Sequence, residues 1–160
     1  MVQKIDRLEH VIKFNYQIRE LTMNEILNDY TAVEEMTVRW GDMDARGHVN
    51  NTLYFRYFES SRIALFRALD LYEEPTEVRI GPILSFQSCN YKAPLTYPDT
   101  IYVGAKIEAI EGSKIIIKHS IVSKKRNRIV AEGEAHIIWY DYDNQKRAII
   151  SADLKRKLMN

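Results

Sequence analysis

The spacing of apolar residues changes along the chain, and each change predicts an element. Residues 1–30 contain no Gly or Pro and set Leu8, Val11, Ile12, Ile18, Leu21, Ile26 and Leu27 at loosely helical intervals, which predicts an N-terminal helical extension of one or two helices. From 32 to 41, AVEEMTVRWG alternates enough to predict a strand ending at Gly41. The polar stretch DMDARGH then reads as a loop. After it, NNTLYFRYFESSRIALFRALDLY predicts a long helix. Asn50 or Asn51 is its expected N-cap, because a short amide side chain can accept from the free N–H groups of a first turn. Leu53, Tyr54, Tyr57, Phe58, Leu65 and Leu69 mark one face of this helix, while Phe55, Ile63 and Phe66 occupy others. An all-round apolar helix must be wrapped, by the rest of the chain, by a partner subunit, or by both.

After Pro75 the period changes to that of strands. ILSFQSCNYKA (83–93), TIYVGAKIEAI (100–110), SKIIIKHSIVS (113–123) and RIVAEGEAHIIWYDY (128–142) are separated by short turn-like segments, so antiparallel pairing is the simplest arrangement. Ala131, Gly133 and Ala135 are small and share a face, which leaves room for a bulky object, and the aromatic helix is the obvious candidate. The expected fold class is α+β: one strand, a central helix, and four antiparallel strands curling around it. SADLKRKLM at the end predicts a short amphipathic helix capped by Ser151.

Composition narrows the class. The 160 residues suit one domain, 31–160, after the N-terminal extension, and Met23 is an alternative start for the natural chain. With 46% apolar and 28% charged residues the chain should fold compactly. Lys+Arg 23 against Asp+Glu 22 gives a charge of +1, which offers no case for nucleic acid or an anionic membrane as a partner. The lone Cys89 excludes an internal disulfide and fits a reducing compartment. No apolar run approaches the ~20 residues of a membrane span. The charged N-terminus lacks a secretory core, so the expected location is the cytoplasm.

The densest polar group is Asp42, Asp44, Arg46, His48, Asn50 and Asn51, between a strand end and a helix start. A helix N-terminus carries unsatisfied N–H groups and partial positive charge, which favour carboxylates and developing oxyanions. The loop can therefore supply a base or nucleophile while the helix polarises a carbonyl, a combination suited to acyl transfer or hydrolysis. The competing reading is a capping loop with no chemistry.

RWGDMDARGHVNNTLYFRYFESSR (39–62), with GPILSFQSCNYKAPLTYPDTI and VAEGEAHIIWYDY further on, resembles the hotdog-fold acyl-CoA thioesterases of the 4-hydroxybenzoyl-CoA thioesterase type. The resemblance runs from about residue 33 to 150 and implies a hotdog fold, a long central helix wrapped by a curved antiparallel sheet, assembled as a homodimer or homotetramer with the site at the subunit interface. It implies an acyl-CoA substrate; the aromatic helix and apolar strands, as the lining of an acyl tunnel, favour a fatty or aromatic acyl group, and no cofactor or metal is expected. It places the catalytic carboxylate, nucleophile or general base, on Asp44, and a catalytic role on His48. Backbone N–H groups from Val49, Asn50 and Asn51 would hold the carbonyl oxygen, with Tyr54 beside the substrate. Arg46 stands where plant acyl-ACP thioesterases have Asn, so their full constellation does not carry over. A non-catalytic acyl-CoA or lipid-binding module is the alternative. A hotdog hydratase or dehydratase ranks below it, since Asp44 and His48 lack the intervening Asn-Pro of those enzymes.

Other residues read structurally. Asp42 suits a loop hydrogen bond. Glu59 and Arg62, at i and i+3, suit a pair with each other or with the sheet. His119 and His136 stand alone on strands, His10 lies in the N-terminal extension, and no Cys or His has zinc-ligand spacing. Cys89 reads as a small apolar side chain. Lys124, Lys125, Arg126 and Arg128 fall at a hairpin tip, most simply a solvated turn, with a contact to the phosphates of CoA as the functional reading.

Overall fold

The structure is a computed structural model that describes residues 23–71 and 79–159. The helices expected within 1–22 lie outside the described residues. Six antiparallel strands form one sheet: β1 (Ala32–Thr37), β2 (Ile80–Tyr91), β3 (Thr100–Glu111), β4 (Lys114–Ser123), β5 (Arg128–Asp141) and the short β6 (Lys146–Arg147). The order is β1-β3-β4-β5-β2, with β6 paired to β5. α1 (Met23–Leu27) precedes the sheet, α2 (Asn51–Ala68) follows β1, and α3 (Ala152–Met159) closes the chain.

α2 lies in the concavity of the sheet, as the small face of β5 implies. Phe58 is fully buried and stacks on His119 of β4, with ring centroids 4.9 Å apart. Opposite His119 stands Gly133, and a Cβ there would sit 2.4 Å from Cε2 of Phe58 and 2.8 Å from the Ser88 carbonyl oxygen. Ile115, Ile117, His119 and Ile121 alternate inward along β4, all essentially inaccessible to water. Complete burial of side chains such as Phe58 and Leu65 contributes about 1.5–3 kcal/mol each. On β-propensity alone, Gly133→Ala should stabilise a strand. The clash outweighs that gain, so we expect Gly133→Ala to cost about 1–3 kcal/mol. A urea midpoint equal to that of the wild type would show that Phe58 is not pressed against this strand.

Tyr30 packs on the opposite face, where Gly104 leaves space for its ring, and its hydroxyl bonds Ser120 Oγ. Asp29 pairs with Lys106. β1 runs antiparallel to β3 from Ala32 to Thr37.

Three boundaries differ from the sequence expectation. β1 ends at Thr37, not Gly41, because the chain turns into the 3₁₀ turn Trp40–Asp42. α2 stops at Ala68 instead of reaching Tyr72. Asp70 takes a left-handed φ of 49°, and Leu71 N–H turns back to Phe66 O at 2.8 Å. β2 starts at Ile80, not 83, although Gly81 and Pro82 resemble a turn. Because β2 is an edge strand, Pro82 can lack an N–H there without breaking the ladder.

Candidate active site

The loop after β1 is organised by its two aspartates. A single 3₁₀ turn covers Trp40–Asp42, and Asp42 Oδ2 accepts from Arg39 N–H at 2.9 Å and from the Tyr57 hydroxyl at 3.1 Å. Asp42 thus makes the loop hydrogen bonds that its position suggests. Burial, with the Asp42 charge and hydrogen bond, holds the Tyr57 phenol well above the usual tyrosine range.

Asp44 opens a tight turn. Its N–H donates to His48 O at 2.7 Å, and Gly47 N–H donates to Asp44 O at 3.0 Å. Gly47 supplies a φ of +76°, a conformation that L side chains rarely adopt. The Asp44 Oδ1 accepts from Arg46 N–H at 2.8 Å and from His48 N–H at 3.4 Å, which fixes the carboxylate while the side chain stays exposed. Asp44 and His48 are therefore joined through backbone, and both side chains face solvent.

α2 begins directly after this turn. Asn50 is the N-cap, and its Oδ1 accepts from Thr52 N–H at 3.0 Å and Thr52 Oγ1 at 2.8 Å. Val49 is buried and gives its N–H to Leu95 O at 2.9 Å; Asn50 gives its N–H to Asp42 O at 2.9 Å. Of the three N–H groups expected to hold a carbonyl oxygen, two are thus spent on other backbone carbonyls, and among the described residues only that of Asn51 is left. The reason is tertiary: the loop after β2 crosses the helix start and takes Val49. Tyr54 is buried, and its hydroxyl accepts from Leu95 N–H at 3.3 Å. It meets Tyr91 edge-on at 4.9 Å, and the Tyr91 hydroxyl donates to Asn51 O at 3.2 Å. Burial raises the Tyr54 phenol, opposed by the Leu95 amide and by the charge of Arg126.

Beside this constellation a cleft of about 570 Å³ opens between β1 and α2, lined by Asp42, Leu53, Arg56 and Tyr57 among others. Neither Asp44 nor His48 lines it. Among the described residues no group of three or more His, Cys, Asp or Glu side chains gathers as a metal would need.

The Glu59–Arg62 pair does not form. Glu59 instead binds Arg56 at 2.6 Å, one turn back and exposed. Arg62 turns inward, 8% exposed, with Nη1 buried and unpartnered, and its burial lowers its pKa. The neighbouring Ser61 hydroxyl donates to Phe58 O at 3.1 Å, so it accepts from His119 Nδ1–H at 3.0 Å. Burial, with the Arg62 charge, keeps His119 neutral, and its Nε2 has no partner among the described residues. The sequence signal was present: His119 occupies an inward position in an otherwise isoleucine row.

The profile of the thioesterase-like superfamily matches residues 38–158. The long-chain acyl-CoA thioesterase FadM of Escherichia coli K12 is 23% identical over 124 residues, 78% of this chain and 94% of its own. Among solved structures, the PA2801 protein of Pseudomonas aeruginosa superimposes with a TM-score of 0.71 at 27% identity, covering 80% of this chain and 98% of that one. The DHNA-CoA thioesterase of Staphylococcus aureus gives a TM-score of 0.67 at 18% identity over 79% and 87% of the two chains. A curled antiparallel sheet around one helix is the hotdog arrangement of these neighbours. The chain belongs to the thioesterase-like superfamily and is a thioester hydrolase.

Proposed function

We propose that the protein hydrolyses acyl-CoA thioesters, with Asp44 as the reacting carboxylate. The observation that carries this reading is the Asp44 carboxylate, pinned by the amides of Arg46 and His48 at the N-terminus of α2 in a thioesterase fold. Asp44 acts in one of two ways. As a nucleophile it attacks the thioester carbonyl, expels the thiolate of CoA and forms a mixed anhydride that water then opens. As a general base it takes a proton from water, which adds to the carbonyl before the thiolate leaves. Either path gives free acid and CoA. The carbonyl oxygen, negative in both tetrahedral intermediates, is stabilised by the α2 N-terminus through the Asn51 N–H. His48 orients water or the thioester from the far end of the same turn.

The acyl group in this reading is fatty or aromatic, which the long-chain substrate named for FadM supports. Release of free thiol from acetyl- through palmitoyl-CoA, with benzoyl- and phenylacetyl-CoA, tests it directly. Turnover that Asp44→Ala abolishes is expected. Silence of the folded wild type across the panel would end the hydrolase reading for CoA esters.

The working unit in this reading is a dimer or tetramer joined along β2. Among the described residues that strand pairs only with β5, and Ile83, Leu84 and Phe86 on it are all 38–46% exposed. An unpaired edge with apolar side chains is a template for a second strand. Light scattering at micromolar concentration should give twice or four times the 18.8 kDa chain mass. A single-chain mass would overturn the assignment. No helix of the described residues is long and apolar enough to cross a membrane, and the unpaired Cys89 is compatible with a cytoplasmic setting.

A further inference from the structure

We propose that the β4–β5 hairpin receives the phosphate groups of the CoA half of the substrate through Lys124, Lys125 and Arg126. This rests on the acyl-CoA reading above and adds to it a nucleotide subsite that the catalytic loop does not contain. Four of the five residues 124–128 are cationic, in a chain whose net charge is only +1. All four side chains are exposed, and among the described residues none takes part in an ion pair. Elsewhere on this surface lysines do find carboxylates, as Lys92 does with Glu132 and Lys114 with Glu111. The hairpin is thus a local excess of positive charge within a balanced surface, the electrostatic form that attracts a compact polyanion.

Its backbone is fixed. Asp99, buried beneath it, accepts from the Ser123 hydroxyl and, through Oδ1, from Lys125 N–H at 3.1 Å. Ser123 Oγ takes Arg126 N–H at 3.1 Å, and Lys124 N–H reaches Thr100 O at 2.9 Å. None of these bonds uses a cationic side chain, so the three charges are free to bind while the turn holds its shape.

The same Asp99 ties the hairpin to the candidate active site. Its carbonyl accepts Val38 N–H at 2.9 Å, at the strand exit that leads into Asp42 and Asp44. The segment just before it crosses the helix start, through Leu95 O to Val49 N–H at 2.9 Å and Tyr97 N–H to Met43 Sδ at 3.3 Å. Hairpin and catalytic loop therefore occupy one end of the sheet, and the Arg126 charge is felt at the Tyr54 hydroxyl. Coenzyme A carries a diphosphate and a 3′-phosphate on the arm that ends at the thioester. The hairpin has no apolar side chain between 124 and 128, whereas a protein-docking surface is enriched in aromatic and apolar anchors. That favours the nucleotide over an acidic carrier protein.

The test is charge reversal, Lys124→Glu with Lys125→Glu and Arg126→Glu, which leaves the backbone bonds and Asn127 in place. Its KM for an accepted acyl-CoA should rise by about tenfold or more with kcat retained. Its KM for the matching acyl-pantetheine, which lacks phosphates, should stay at the wild-type value. An acyl-CoA KM that does not move would overturn the proposal, as would an equal rise for acyl-pantetheine. Loss of turnover with an acyl carrier protein alone would assign the hairpin to that carrier instead and also overturn it. Calorimetry with CoA and with pantetheine needs no turnover: the wild type should prefer CoA, and the variant should lose that preference. If the wild type hydrolyses no thioester, the hydrolase reading fails while the calorimetric comparison still decides the hairpin.

Discussion

Asp44→Asn should lower kcat about a thousandfold or more and leave the protein folded. The two backbone amides that hold Asp44 Oδ1 donate equally well to an amide oxygen, so the turn from Asp44 to His48 keeps its bonds. What disappears is the negative charge and the basicity, which act only as the transition state forms. A thousandfold loss corresponds to about 4 kcal/mol of transition-state stabilisation. Circular dichroism and the urea midpoint of the variant should match the wild type. Near-normal turnover by Asp44→Asn would remove the carboxylate from the mechanism altogether. Single turnover in ¹⁸O-water tests the nucleophile: label entering the Asp44 carboxylate requires a mixed anhydride opened at that carbon, whereas a general base leaves the Asp44 oxygens unlabelled.

Acid should unfold this protein through His119. Burial first, and the nearby Arg62 charge second, drive its pKa from 6.5 down to about 3. The native state therefore holds a neutral imidazole that the unfolded chain would protonate below pH 6.5. Since the folded value is the lower one, the full contribution is present above pH 6.5 and is lost progressively as pH falls towards 3. At about 1.4 kcal/mol per unit, moving from pH 7 to 4.5 costs on the order of 2–3 kcal/mol. Glu134, held low by Lys118 and His136, titrates on the acid side as well, so a reference is needed. His119→Gln supplies it, because Gln can occupy the site without titrating. The wild type should lose more stability than the variant between those two pH values. Equal losses would mean that His119 is not buried neutral.

The strands and α2 were legible because each keeps one period, and Ser151, with Asn50 as one of two candidates, was legible as a cap from chemistry alone. Ser151 Oγ indeed accepts Leu154 N–H at 3.1 Å. Glu59 shows where pattern stops. Arg56 and Arg62 stand at i−3 and i+3 from it, equivalent by spacing, and only the burial of the Arg62 side chain against the sheet selects Arg56. The catalytic loop was visible as a polar cluster, yet the diversion of the Val49 N–H to Leu95 requires a contact across 46 residues. Likewise the basic run was visible, but its place beside the loop depends on strand order, which no local pattern encodes.

Tyr30 and β1 bear on where this protein can be cut. The superfamily match begins at Val38, one residue after β1 ends. A fragment trimmed to that match would strip the six-residue ladder from β3 and uncover the hollow at Gly104 that the Tyr30 ring fills. β3 would then present a raw row of amide donors and acceptors beside Val103 and Ala105, an invitation to self-association. The limits of the superfamily match and the limits of independent folding do not coincide in this chain.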